Sequence, residues 1–258
     1  MRMFPSEPTP DTVLSCDVFD TLLHRDHRSQ FRRLRDIAAL SSSRLAAERG
    51  IARAPGTIWR IRMEVQREAY AAQAMGRPNG DIRFQDVIDA TARLLALDKA
   101  GGTILHEAEL AVERVQLTPH TALFDWLKAQ RARTGCRIIA ISDTYHTAAT
   151  ISQLLGQLAP DHPIDAVHTS ADHDATKRSG ALFHAVLRQE GLEPGQMLHI
   201  GDDPVADIAM ARAAKLRPWR VVRPRYVRAR RKFDALLGRL QAIMHPPGLS
   251  EALESKSA

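Results

Sequence analysis

Apolar residues recur along this chain in two rhythms, and the change between them marks its architecture. Val13 to Cys16 is a short apolar run that reads as a strand. From about Ser29 to Val115 the period is helical. Phe31, Leu34, Ile37 and Ala38 share one helix face, and Ile58, Ile61, Val65 and Ala69 share a second, opened by Pro55. Phe84, Val87, Ile88, Thr91, Leu94 and Leu95 mark a third after the turn-rich Gly76-Arg77-Pro78-Asn79-Gly80, and Leu105 through Val115 a fourth. About ninety residues of helix following the first strand read as a separate small bundle.

Pro119 restarts a different pattern. A helix carrying Leu123, Trp126 and Leu127 leads to a strand over Arg137–Ile141, a helix over Ala148–Leu158 and a strand over Ala166–Thr169. A helix over Ala181–Gln189, a strand over Met197–Ile200, a helix over Val205–Ala214 and a strand near Trp219–Val222 follow. Strands alternating with helices across short loops predict an α/β fold, a doubly wound parallel sheet, with an inserted α-helical domain. The expected division is a core of residues 11–25 and 119–225, a helical cap over 26–118, and a C-terminal segment over 226–258. That segment holds an amphipathic helix (Phe233, Leu236, Leu237, Leu240, Ile243, Met244) and a polar tail. Residues 1–10 are Pro-rich and read as disordered, and no internal repeat is evident.

Composition narrows the class. The 258 residues are 44% hydrophobic but only 5% aromatic, an Ala/Leu-rich globule, and no apolar run approaches the ~20 residues that span a bilayer. The N-terminus lacks the apolar stretch of a signal peptide, so the cytoplasm is the expected location. The two cysteines, Cys16 and Cys136, fall at opposite ends of their strands, beyond disulfide reach, and read as small buried hydrophobes. The net charge of +6 is unevenly placed: residues 217–232 hold eight Arg/Lys and no acid, and without them the total is 6 − 8 = −2. Such a strip suits nucleic acid, an acidic membrane or a protein partner. No nucleic-acid motif accompanies it, so solvated charge is the expected state.

Four polar segments carry the chemistry, and three of them follow or end a strand-like run. The carboxyl edge of a parallel sheet, where open α/β sheets bind ligands, is where they gather. In Asp17-Val18-Phe19-Asp20-Thr21-Leu22, Asp17 is the candidate nucleophile, since a carboxylate attacking phosphorus splits one hard step into two. The Thr21 hydroxyl suits orienting that carboxylate or the loop backbone; alternatively Asp17 and Asp20 only build a turn. Ser142 and Asp143 close the Arg137–Ile141 run, where the hydroxyl and the following backbone N–H groups suit a phosphoryl oxygen or a simple turn. Lys177, in Lys177-Arg178-Ser179-Gly180, precedes a helix and offers an ammonium to phosphoryl oxygens and Asp17. In Gly201-Asp202-Asp203-Pro204-Val205-Ala206-Asp207, Pro204 suits the first helical position and makes Asp203 the N-cap. Asp202, left without that structural role, is the candidate Mg²⁺ ligand, and Asp207 either binds a metal-bound water or braces the loop.

The four motifs, their order and the helical insertion resemble the haloacid dehalogenase-like (HAD) hydrolase superfamily over about residues 12–222. The wording is closer to a branch of predicted bacterial hydrolases with an FDVFDTLL-type first motif, here Cys16 to Leu23, with Ser142-Asp143-Thr144-Tyr145 and His199 to Asp203. The resemblance implies Asp17 as nucleophile and metal ligand, the Phe19 backbone carbonyl as another ligand, Ser142 and Lys177 as phosphoryl holders, and Asp202 completing an Mg²⁺ site. One departure stands out. Superfamily phosphatases usually carry a general acid two residues after the nucleophile; Phe19 is there, and Asp20 is one residue later. Either Asp20 supplies the proton, or the leaving group needs little acid help, or the reaction is not phosphoryl transfer.

The expectation is an Mg²⁺-dependent phosphatase acting on a small phosphorylated metabolite through phosphorylated Asp17, with sugar or polyol phosphates favoured only by family association. The rivals are a metal-free dehalogenase, supported by Phe19, and a catalytically idle module that binds an acidic partner.

Overall fold

The computed structural model describes Pro5, residues 11–222 and residues 225–244, excepting the side chains of Arg225, Arg228 and residues 238–244. The expected disorder of residues 1–10 (Pro5 apart) and the polar tail after Met244 lie outside the described residues.

In chain order the elements are β1 (Val13–Cys16), β2 (Leu23–Arg25), α1 (Gln30–Arg49), α2 (Pro55–Gly76), α3 (Phe84–Leu94), α4 (Lys99–Gln116) and β3 (Leu117–Pro119). There follow α5 (Thr121–Thr134), β4 (Ile138–Ser142), α6 (Ala148–Leu158), β5 (Ala166–Thr169), α7 (Ser170–His173), α8 (Ala181–Glu190) and β6 (Met197–Gly201). A π-helical turn over Pro204–Ala209 then runs into α9 (Met210–Ala213), before β7 (Arg217–Arg220) and α10 (Arg225–Met244).

The chain divides into two units. The first, Met1–Arg25, Tyr70–Phe84 and Leu117–Arg223, holds a five-stranded sheet in the order β5-β4-β1-β6-β7, every pair parallel. Alternation along the strands feeds two helical layers. Leu14, Cys16, Ile138 and Ala140 pack with Leu123, Leu127, Ile151 and Leu155 on one face. Val13, Ile139, Ile141 and Met197 pack with Leu182, Phe183 and Val186 on the other. This is the doubly wound core that the βα rhythm predicts. Cys16 lies opposite Ala140, four residues past Cys136, and both cysteines are free and buried.

The antiparallel ribbon of β2 and β3 has no counterpart in the hydrophobic pattern. Each strand is three residues long, and His24, Arg25 and Thr118 give it no apolar alternation. The last strand lies two residues earlier than the run at 219–222 suggests, because Arg217 to Arg220 match Leu198 to Gly201 in register.

The second unit, Asp26–Ala69, Gln85–Gln116 and Pro224–Ala258, is helical among the described residues. Leu34, Ile37 and Val112 pack with Trp59 and Met63, and the buried Arg62 guanidinium grips Glu109 through two bonds of 3.2 and 2.9 Å.

This division differs from a single inserted block at 26–118 in two ways, and polar contacts explain both. The strap at 77–84 is fastened within the first unit: Thr176 N donates to Asn79 O at 2.8 Å, Ser170 Oγ to Asp81 Oδ2 at 2.6 Å, and Phe84 N to Tyr145 O at 2.8 Å. Residues 226–244 of the expected C-terminal segment are not a separate tail. Asp234 Oδ2 accepts from Ser29 N at 2.8 Å and from Ser29 Oγ at 2.7 Å, which joins α10 to the N-terminus of α1 within the second unit.

Candidate active site

β1, β4 and β6 lie side by side, so their carboxyl ends bring Asp17, Ser142 and Asp202 to one edge of the sheet. Asp17 extends β1, its N–H bonded to Ile200 O at 2.8 Å. Beyond β6, Asp203 caps the following turn, its Oδ1 accepting from Val205 N at 2.7 Å and Ala206 N at 3.0 Å, with Pro204 at the first helical position. The turn is π-wound, and within it Asp207 comes back to accept from Asp203 N at 2.9 Å. Gly201 permits this return, because a Cβ there would overlap the Asp207 carboxylate.

Lys177 is the centre of charge. Its buried ammonium donates to Asp17 Oδ1 at 2.5 Å and to Asp207 Oδ1 at 2.6 Å. Its backbone is clamped by Asp143, whose carboxylate accepts from Lys177 N at 2.6 Å and Arg178 N at 3.1 Å. Asp207 Oδ1 also meets His199 Nε2 at 3.2 Å, and His199 Nδ1 lies 2.8 Å from Ser15 Oγ. Since a carboxylate only accepts, Nε2 carries the proton and Nδ1 accepts from the Ser15 hydroxyl. Burial holds His199 below its ordinary pKa and keeps it neutral.

One ligand oxygen from each of Asp17, Asp202 and Asp207 lies within 4.8 Å of the others. Against three carboxylates the cluster has one ammonium. Burial pushes the Asp17 carboxyl above its ordinary range, with Lys177 opposing and Asp207 adding to the rise. Burial, then the carboxylates of Asp17 and Asp207, push Asp202 up to about 7. Asp207 goes the other way: against its burial, Lys177 and His199 hold it below the usual carboxylate range. A crowded, all-oxygen donor set short of positive charge suits a hard divalent cation such as Mg²⁺. Both Asp207 oxygens accept hydrogen bonds, from Lys177 and His199 at Oδ1 and from Asp203 N at Oδ2, which fits the bracing alternative.

The remaining candidates sort plainly. Ser142 Oγ, buried at the end of β4, has no hydrogen-bond partner in the described structure. The Thr21 hydroxyl is also buried without one, so it orients neither Asp17 nor the loop backbone; the Thr21 carbonyl lies 3.1 Å from His120 Nδ1. Asp20 sits at φ 71°, and its Oδ1 accepts from Arg25 N at 3.1 Å, a turn-building position. The Phe19 ring is buried beneath Arg25, whose guanidinium carbon is 3.8 Å from the ring centroid.

Three contributors have no role in the motif reading. His199 lies within a motif, and its part is seen only in its bonds to Asp207 and Ser15. Asp81 and Ser170 brace the loop after β4, because Ser170 Oγ accepts from Thr144 N at 2.7 Å while donating to Asp81. Nothing in the spacing of Asp81 signals this; the contact spans 89 residues of sequence.

A model of the haloacid dehalogenase-like hydrolase family matches residues 12–215. Among solved structures, a 2-haloacid dehalogenase from Pseudomonas syringae pv. Tomato DC3000 is similar, with TM-score 0.55 and 18% identity, covering 80% of this chain and 84% of that one. A HAD family enzyme from Bacteroides thetaiotaomicron, in complex with magnesium and inorganic phosphate, gives TM-score 0.54 and 13% identity, covering 81% and 93%. At these identities the likeness is one of fold. A search of curated proteins returned no match.

Proposed function

Because the chain belongs to the haloacid dehalogenase-like hydrolase family, we propose that it is an Mg²⁺-dependent phosphatase acting on a small phosphomonoester through phosphorylated Asp17. The observation that carries this reading is the buried cluster of Asp17, Asp202 and Asp207 around one ammonium, Lys177. A carboxylate excess of this kind is costly unless a cation shares it. Asp17, Asp202 and the Phe19 backbone carbonyl would hold Mg²⁺, which when bound offsets the charge of the phosphoryl group and the acids around it.

In this scheme an Asp17 carboxylate oxygen attacks phosphorus, the ester P–O bond breaks, and the leaving oxygen carries away the bonding pair. Lys177 and the unengaged Ser142 hydroxyl hold the phosphoryl oxygens, with Asp143 fixing the Lys177 backbone. Water then cleaves the acyl phosphate, releasing phosphate and restoring Asp17. No side-chain acid stands two residues beyond the nucleophile, and Asp20 is committed to its turn. The reaction therefore suits a leaving group stable enough to depart with a proton from water.

The second reading, a metal-free dehalogenase, is favoured by Phe19 and the Arg25 guanidinium over its ring. One experiment separates the two: phosphate release from p-nitrophenyl phosphate with Mg²⁺ or EDTA, beside halide release from 2-chloropropionate without metal. Mg²⁺-dependent phosphate release that stops in Asp17→Asn is expected. Phosphate turnover persisting in EDTA, or halide release alone, overturns the proposal.

A further inference from the structure

The last described helix carries a surface that the catalytic reading does not use. α10 is held to α1 by one face: Asp234 accepts from Ser29 and pairs with Arg32 at 3.2 Å, and Arg231 Nη2 donates to Asp26 O at 2.8 Å. Around from that face, Tyr226, Phe233, Leu236 and Leu237 are 66%, 63%, 54% and 44% exposed. At about 100° per residue, Tyr226, Phe233 and Leu237 fall within about 40° of one another, and Leu236 flanks them. Arg230 and Lys232 are exposed beside the stripe. In sequence, α10 holds six cations, Arg225, Arg228, Arg230, Arg231, Lys232 and Arg239, against the single acid Asp234. That acid is already neutralised within its own unit.

We propose that α10 is a docking surface for a bilayer rich in anionic lipid. The charge balance selects this occupant. A second copy of the chain, packing stripe to stripe by a two-fold, would set one cationic helix against another. A nucleic acid would satisfy the cations but leave two aromatic rings and two leucines without an apolar partner. An anionic bilayer takes both: the apolar side chains enter the boundary between headgroups and acyl chains, and the cations remain among the phosphates. No described helix is long and apolar enough to cross a membrane, so the contact is one of lying on the surface. The fastening through Asp234 means the stripe is presented by a docked helix. The exposed positions can therefore be changed without touching what holds it.

The test is sedimentation of the full chain with vesicles of phosphatidylcholine alone or mixed with phosphatidylglycerol. Binding is expected only to the mixed vesicles and is weakened by salt. Combining Phe233→Ser, Leu236→Ser and Leu237→Ser should weaken it by about 100-fold, and Arg230→Glu with Lys232→Glu by at least about tenfold, with circular dichroism and melting temperature unchanged in both. Equal binding to neutral vesicles, or no binding to either, overturns the proposal. So does retention in the Ser triple variant with loss only in the charge variant, which would mark a polyanion site open to nucleic acid. A dimer seen by light scattering that dissociates in the Ser variant would assign the stripe to a second copy instead.

Discussion

Lys177 and Asp207 are joined by a buried bond of 2.6 Å, and the same Lys177 ammonium reaches Asp17 at 2.5 Å. Replacing the lysine leaves two buried carboxylates facing each other. Lys177→Met should therefore cost about 3–5 kcal/mol of stability and abolish measurable phosphate transfer. Lys177→Met combined with Asp207→Asn should recover much of the stability and none of the activity. Denaturant melts and a phosphate-release assay on both variants distinguish charge balance from chemistry; a stable single variant would contradict the burial argument.

The Asp17–Asp202 pair predicts linkage between metal and stability. A cation bound only by the folded state raises the melting temperature with concentration, by RT ln(1 + [L]/Kd). Wild type should gain stability with Mg²⁺, and Asp202→Asn should lose that gain. Differential scanning fluorimetry across an Mg²⁺ titration measures this without any substrate. An equal response in Asp202→Asn would remove that residue from the metal site.

Most of the sheet was legible because β1, β4 and β6 are buried on both faces and so stand out as short apolar runs, a signal that needs no knowledge of the partner strand. The roles of Asp203 and Pro204 were legible for a local reason too, since a cap is decided within four residues. What escaped was long-range or locally featureless: the β2–β3 ribbon is three residues per strand, and the Asp81–Ser170 bond closes across 89 residues. Asp20 in the first motif was open for another reason. The sequence left an acid and a turn-builder as alternatives for it, and the backbone at φ 71° with the bond from Arg25 N supports the turn.

His199 is expected to act as a positioning residue. It donates to Asp207, which in turn holds Lys177 and the Asp203 backbone, so its loss loosens two site elements at once. His199→Ala should lower kcat by about tenfold or more, consistent with about 1–3 kcal/mol for a buried acceptor deprived of its donor. KM should change little, and His199→Gln should restore part of the rate. A fall in stability with kcat untouched would reduce the residue to packing.

A second histidine predicts the acid limb of stability. Burial, and then the neighbouring His120, lower the His24 pKa from 6.5 to about 4. Their ring centroids are 4.4 Å apart. Between those pH values the unfolded chain binds a proton that the folded chain refuses, so stability is present above pH 6.5 and falls as pH drops toward 4. Replacing the titrating ring, as in His24→Phe, should flatten this limb in melting-temperature profiles. An unchanged profile would assign the acid sensitivity to other groups.

Phe19 offers the sharpest separation of mechanism from fold. It occupies the place from which an acid two residues past the nucleophile would protonate a leaving oxygen, and its ring is buried beneath the Arg25 guanidinium. If the missing acid limits turnover, Phe19→Asp should raise kcat for alkyl phosphates, whose leaving groups are poor, by about 10²-fold. It should do much less for p-nitrophenyl phosphate, whose phenolate leaves without help. The measurement is the ratio of kcat values for the two substrates in wild type and variant. A ratio that does not move would mean that protonation of the leaving group is not the step that Phe19 withholds.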